Sequence, residues 1–349
     1  MSEETYCVHR LINRFNSTLE KSSISLDECR FSRFAASILL IFALISFLIS
    51  IDSLRKNQIS TRDRHFVLGM FVSSLCIISI SVPSVVAQCF LCRRFCSSFI
   101  CQLEGFNSFF NGCLTMYMLV TLSIVRFHTT ANSPLSNEAQ NLLQTRGGLL
   151  LIVCFVLSGL WAVPPLFGRI NVYVPEGLGF HCGLNWFDRS RTGRIYFFLL
   201  FIFVYFLPLM IIIYVNLFIQ RTTHRLTHLY SQVSLEEFNL FDDNLLRRHV
   251  SESRHENERR RLFYLQQDRR FVIATGFSIF IYLFAWTPYN VLALAQVFGN
   301  SLSPRNRWLM TTAALLAKLS MITNPIIYSI LLKPREVSLE TIIFVKESN

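Results

Sequence analysis

The run Trp308-Leu309-Met310-Thr311-Thr312-Ala313-Ala314-Leu315-Leu316-Ala317-Lys318-Leu319-Ser320-Met321-Ile322-Thr323-Asn324-Pro325-Ile326-Ile327-Tyr328-Ser329-Ile330-Leu331-Leu332 decides the fold. It is 25 residues of apolar character with one ionisable group, Lys318, near its middle. As a helix rising 1.5 Å per residue it crosses a bilayer core of ~30 Å, and it sets Lys318 about 15 Å in. A lysine at that depth costs a few kcal/mol or more, so a functional role is the default expectation. Three roles fit the chemistry: pairing with a carboxylate, relaying protons, or forming a Schiff base with an aldehyde.

Six more apolar stretches precede it, at 34–51, 66–90, 99–124, 148–167, 196–218 and 271–298. With 52% hydrophobic residues, 33 Phe and 16% charged residues, the chain departs from the soluble average of about a quarter charged. The expected class is an all-α membrane protein built as a bundle of seven spanning helices. Residues 1–33 form a leading segment, 34–333 the bundle, 220–270 a long loop and 334–349 a short tail.

Seven crossings put the two ends on opposite sides. The loops after spans one, three and five, with the tail, hold 19 Lys and Arg, against 13 for the other side. The excess of basic residues predicts an extracellular N-terminus, with span one as its own insertion signal. Asn16-Ser17-Thr18 is then a glycosylation acceptor. The net charge of +11 belongs largely to loops facing an anionic leaflet, which argues against nucleic acid as a partner. Seven of ten cysteines (Cys7, Cys29, Cys89, Cys92, Cys96, Cys101, Cys182) lie on or near the outer side, where disulfides form. Cys76, Cys113 and Cys154 read as small apolar filler within spans. No phosphate-binding Gly-rich loop, GxSxG turn or paired metal-ligand spacing occurs, so neither an enzyme of those kinds nor a metal is expected.

Three groups of residues carry a resemblance. Lys318 stands six residues before Asn324-Pro325-Ile326-Ile327-Tyr328; Cys101-Gln102-Leu103-Glu104 opens span three; and Pro175-Glu176-Gly177-Leu178 precedes Cys182-Gly183-Leu184-Asn185-Trp186. Together with Pro208 in span five and Ala285-Trp286-Thr287-Pro288-Tyr289 in span six, they resemble animal opsins, the retinal-binding branch of rhodopsin-like G-protein-coupled receptors. The resemblance runs over about 66–328 and is weakest in spans one and two.

It implies retinal, 11-cis or all-trans, held as a Schiff base on Lys318, with Glu104 and Glu176 as counterion candidates. A buried cation needs a carboxylate nearby, which is the physical side of the same expectation. By position Gly112, Trp186, Phe201, Tyr205, Trp286 and Tyr289 would line the slot, and Cys101 and Cys182 would be bridged. Arg126, Asp268, Pro288, Asn324, Pro325 and Tyr328 would form the activation switch, with Trp286 pushed as the ligand changes shape. A heterotrimeric G protein is the implied partner, with arrestin and a receptor kinase as further ones, and the plasma membrane or a photoreceptive membrane is the implied location. A retinal photoisomerase with little signalling, and a receptor for a diffusible ligand, are the alternatives.

The sequence departs from that family at one end of the bundle. Val125 stands where an acid usually precedes Arg126; Ser73, Ser74 and Leu75 stand at the level of a usual aspartate. Ile45-Ser46-Phe47 replaces a usual asparagine, and Asn216 occupies the site of a tyrosine, with Tyr214 two residues earlier. The loop 220–270 reads as a polar, partly helical extension of spans five and six.

Overall fold

The computed structural model describes residues 24–55, 64–95, 97–131, 137–222, 247–298 and 304–331. Within these, the side chains of 64, 126, 128–131, 137–145, 247–272, 304–306 and 331 are left aside. Among the described residues, seven helices are long and apolar enough to cross a membrane: Leu26–Arg55, His65–Leu91, Ser98–Val125, Arg146–Phe167, Arg191–Thr222, Ile273–Phe298 and Arg307–Ile330. They are called spans one to seven. Each contains or closely overlaps the apolar stretch read from the sequence; spans one and five run several residues past it at both ends, because flanking polar residues continue a helix that the lipid requirement has already started, and the other five match it within two residues.

The arrangement follows from which faces are apolar. Span three is the most enclosed, with 72% of its most apolar window buried, against 22% for span four and 28% for span one. Its small and polar residues Gly105, Asn107, Ser108, Asn111 and Gly112 would be unfavourable against lipid, so it takes the centre. Large side chains such as Leu48, Phe198, Phe280 and Phe284 stay exposed on the outside of the bundle, where hydrocarbon is their solvent.

Two spans widen into π-turns, Ile77–Ser81 in span two and Phe201–Phe206 in span five, each ahead of a proline, Pro83 or Pro208. A proline cannot donate to the preceding turn, and the widened π-turn redistributes the loosened carbonyls. Asn107 of span three donates to the Cys76 carbonyl at the head of the first π-turn (3.2 Å) and to Ser81 Oγ within it (2.7 Å). Span six is the end of a single helix, Arg247–Phe298, which bears out the expectation of a helical extension on that side of the loop 220–270.

Between spans four and five the chain forms an antiparallel hairpin, β1 (Tyr173–Glu176) and β2 (His181–Leu184). Its register pairs Tyr173 with Leu184 and Glu176 with His181. The turn needs Gly177 and Gly179, whose φ angles of +56° and +91° lie in the region that disfavours a Cβ. A Cβ on Gly177 would also meet the Arg307 carbonyl at 2.7 Å, so the glycine lets the turn lie against span seven. There Leu178 N–H donates to Thr311 Oγ1 (3.0 Å).

A disulfide joins Cys101 to Cys182, as the resemblance implied, and fastens β2 to the start of span three. A second joins Cys29 to Cys92 and ties span one to the end of span two. Cys89, counted among the outer cysteines in the sequence, is instead a buried thiol facing the interior of the bundle, and Cys113 and Cys154 are buried as expected of filler. Asn16, Cys7 and Cys96 lie outside the described residues.

Candidate functional site

Lys318 is 4% exposed, deep in span seven, and its Nζ lies 3.2 Å from Glu104 Oε1. Glu104 itself has no exposure. The pairing follows from helix geometry. Cys101 and Glu104 are three residues apart and share one face of span three, so the disulfide that brings Cys182 to Cys101 also brings the Cys182 N–H over the carboxylate. It donates to Glu104 Oε2 at 2.6 Å. Ser108, one further turn along the same face, donates to Oε1 at 2.8 Å. The charged pair therefore has two additional hydrogen bonds, which is what a buried ion pair needs to offset its desolvation.

Above the pair, the hairpin presents Glu176 and His181, cross-strand partners that point into the same cavity. Glu176 accepts from Trp186 Nε1 (2.6 Å) and from Tyr289 Oη (3.1 Å to each oxygen). Burial is the main reason its carboxyl is pushed up to about 8, against the lowering effect of those donors and of the Lys318 charge. His181 is 1% exposed, and its Nδ1 lies 3.5 Å from Glu176 Oε2. Burial first, and the charge of Lys318 second, hold the imidazole well below its usual range.

The cavity is narrow in the ligand-free chain, about 40 Å³. Beside the charged groups its walls are Gly105, Phe109, Trp286, Tyr289, Ala314 and Met321. The sequence-derived lining is partly realised. Trp286 and Tyr289 line the cavity, and their rings meet edge to face at 5.8 Å. Trp186 and Phe201 form a second aromatic layer, with Trp186 5.9 Å from Phe201 and 6.1 Å from Tyr289. Gly112 lies under Trp286, where a Cβ would come within 2.7 Å of the indole. Tyr205 is apart from the cavity: its hydroxyl hydrogen-bonds Thr287 Oγ1 (2.8 Å) across spans five and six. Tyr205 lies within the π-turn of span five.

Sequence reasoning singled out neither His181 nor Ser108. The Gly177 and Gly179 turn was the signal for His181, since a tight hairpin places it opposite Glu176.

At the other end of the bundle, the residues that depart from the family have partners of their own. Ser74 Oγ donates to the Met321 carbonyl (2.7 Å) and Ser46 Oγ to the Ile322 carbonyl (2.6 Å). Met321 is four residues before Pro325, so its carbonyl is the one that the proline leaves without a helical donor. Asn216 donates to Ser123 Oγ (3.2 Å) and the Ile212 carbonyl (2.8 Å), while Tyr214 is 67% exposed on the outer face of the bundle. Asn324 and Tyr328 are buried, and Pro288 and Pro325 sit within their helices. The side chains of Arg126 and Asp268 lie outside the described residues.

A seven-helix bundle with a disulfide-anchored hairpin over a buried lysine–glutamate pair defines a multi-pass membrane protein of the rhodopsin-like receptor fold. Residues 47–328 match the model of the 7 transmembrane receptor (rhodopsin family), and the chain belongs to that family. Among curated proteins it is similar to Melanopsin-A of Danio rerio, 28% identical over 82% of this chain and 44% of the relative. It is also similar to "Rhodopsin, GQ-coupled" of Mizuhopecten yessoensis, 26% identical over 76% of this chain and 49% of the relative. The chain thus spans about half the length of these relatives. Its fold matches the crystal structure of squid rhodopsin with a TM-score of 0.71 at 22% identity, over 93% of this chain and 88% of that one.

Proposed function

We propose that the chain is a light-sensing receptor that holds retinal, 11-cis or all-trans, as a Schiff base on Lys318 and activates a heterotrimeric G protein. The observation that carries this reading is the buried Lys318–Glu104 pair at 3.2 Å, at the end of a cavity walled by aromatic rings. Retinal, when bound, supplies light absorption and a light-driven change of shape. The residues present fit it: a buried amine for attachment, a carboxylate to balance the charge, and an apolar slot bounded by Phe109, Trp286 and Tyr289.

The chain's own groups then have distinct parts. Lys318 Nζ carries the proton, and Glu104, held by Cys182 N–H and Ser108, is the counterion in direct reach. Glu176, bound by Trp186 and Tyr289 and largely protonated near neutral pH, holds the roof aromatics in place. The hairpin excludes water from the pair. Trp286 rests on Gly112 and stands two residues before the kinking Pro288, so pressure on its ring acts on the inner part of span six. The relative named as a GQ-coupled rhodopsin supports a G protein as the partner. By the distribution of basic residues the N-terminus and hairpin are extracellular, and the resemblance to opsins implies a plasma or photoreceptive membrane.

The test is a visible spectrum of the purified chain after 11-cis-retinal is added in the dark, followed by light-dependent nucleotide exchange on a G protein. A light-sensitive band beyond that of free retinal, absent in Lys318→Ala, supports attachment at Lys318. Exchange on illumination supports the receptor, whereas turnover of retinal isomers without exchange supports the photoisomerase. No band from folded protein overturns both.

A further inference from the structure

His181 has no part in the function proposed so far, yet it is among the most enclosed polar groups of the molecule. Both ring nitrogens are buried and neither makes a hydrogen bond. Leaving such groups unsatisfied is costly, so their persistence asks for a reason. The hairpin register puts the ring opposite Glu176 and over the cavity that holds Lys318. The titratable groups that line that cavity with it are Glu176, Tyr289 and Lys318; Glu104 pairs with that lysine, and Arg94 packs under the turn at Gly179.

Of the nearby acceptors, Glu104 is already engaged. Its oxygens accept from Cys182 N–H and Ser108 and face the lysine, and a proton arriving there must compete with these donors. Glu176 likewise accepts from Trp186 and Tyr289. Among these groups His181 is the one whose side chain has no hydrogen-bond partner at all.

We propose that His181 is the base of this site, which takes and holds the proton that leaves Lys318 Nζ, with the Glu176 carboxyl steadying the imidazolium. This rests on the receptor reading above. The step conserves charge: the lysine nitrogen keeps its electron pair and becomes neutral, and the imidazole nitrogen gains the proton and becomes cationic. The new N–H faces Glu176 Oε2, now 3.5 Å away, which accepts it whether charged or neutral. The transfer also strengthens its own acceptor. The Lys318 charge is one of the two causes that hold the imidazole low, and it disappears as the proton leaves.

The experiment uses the full chain labelled with ¹⁵N-histidine, with His181→Asn identifying the signals of His181. In the ligand-free protein, Lys318→Met should raise the proton affinity of His181 by about tenfold or more, the size expected for loss of a neighbouring buried charge. In the pigment formed with 11-cis-retinal, illumination should move the His181 ring signals from neutral imidazole to imidazolium. Compared with the native chain at equal amounts of dark pigment, His181→Asn should slow the light-driven loss of the proton from Lys318 at least tenfold. Identical His181 signals in native and Lys318→Met protein overturn the proposal whether or not a pigment forms. So do signals that stay unchanged when a formed pigment is illuminated. Failure of the native chain to form any pigment overturns the receptor reading instead, and the ligand-free comparison then judges His181 alone.

Discussion

Lys318 and Glu104 stabilise each other only as a pair. Removing one leaves a buried charge without compensation, and such losses run to about 3–5 kcal/mol, whereas removing both charges together is far cheaper. Lys318→Ala should therefore lower the thermal midpoint of the ligand-free protein markedly, and adding Glu104→Gln to it should recover much of the loss. Equal midpoints for the single and double variants in detergent would mean the pair is not charged in the folded state. Glu176 gives a second residue-scale expectation, with its sign fixed by burial. Its carboxyl titrates near 8 in the folded chain against an ordinary value of 4.5, so between those values the folded state keeps a proton that the unfolded state has released. Stability on this account is full below about pH 4.5 and is lost as pH rises through about 8. Glu176→Gln, which can still accept from Trp186 and Tyr289, should flatten that decline when midpoints are compared near pH 5 and pH 8. A native chain whose midpoint rises over the same interval, with no change in slope in the variant, would refute the assignment.

At the scale of elements, the serines of spans one and two do locally what a larger polar residue does in the wider family. Ser74 caps the Met321 carbonyl that Pro325 leaves open, while Ser50 donates to the Ser46 carbonyl within its own helix. The two hydroxyls are chemically equal but structurally unequal. Ser74→Ala orphans a buried acceptor and should cost about 1–3 kcal/mol, and Ser50→Ala, whose acceptor carbonyl lies within a regular helix, should cost a few tenths. Thermal unfolding of the two variants side by side measures this, and equal losses would show that the kink at Pro325 does not depend on Ser74. The same comparison explains what was legible in the sequence. The seven spans were readable because lipid demands about 20 apolar residues in a row, and Lys318 was readable because it carries the one charge in the apolar run 308–332. The position of Tyr205 was not, since it lies within the π-turn Phe201–Phe206, and an extra residue in a helical turn leaves no mark in composition. Nor was the inward turn of Cys89, which depends on how span two is rotated about its axis. Ser46 and Ser74 were visible only as missing residues, because a hydroxyl's acceptor is a backbone carbonyl on another helix and has no side-chain signature.

Across the whole molecule, the site under the hairpin and the opposite end of the bundle are joined by spans three, six and seven, which carry Glu104, Trp286 and Lys318 at one level and Val125, Arg126 and Tyr328 further along. Any signal must pass along those helices, and what resists it at rest are contacts at the far end. Val125 is 8% exposed and packs in the apolar cluster that includes Ile212, Tyr282 and Tyr328. It can offer Arg126 no charge, so one restraint on the resting conformation is missing. In a two-state receptor, loss of a contact made only at rest raises the population of the active state without any ligand. Dark nucleotide exchange by the native chain should accordingly exceed that of Val125→Glu, where a carboxylate beside Arg126 restores the restraint. A restraint of about 1.4 kcal/mol would make the difference tenfold, and Val125→Gln, of the same size without charge, separates the electrostatic effect from crowding of the cluster. If dark exchange is equal in native and Val125→Glu protein, both folded by their visible band, the resting state is locked by other contacts. Reduced exchange in both variants would assign the effect to side-chain volume.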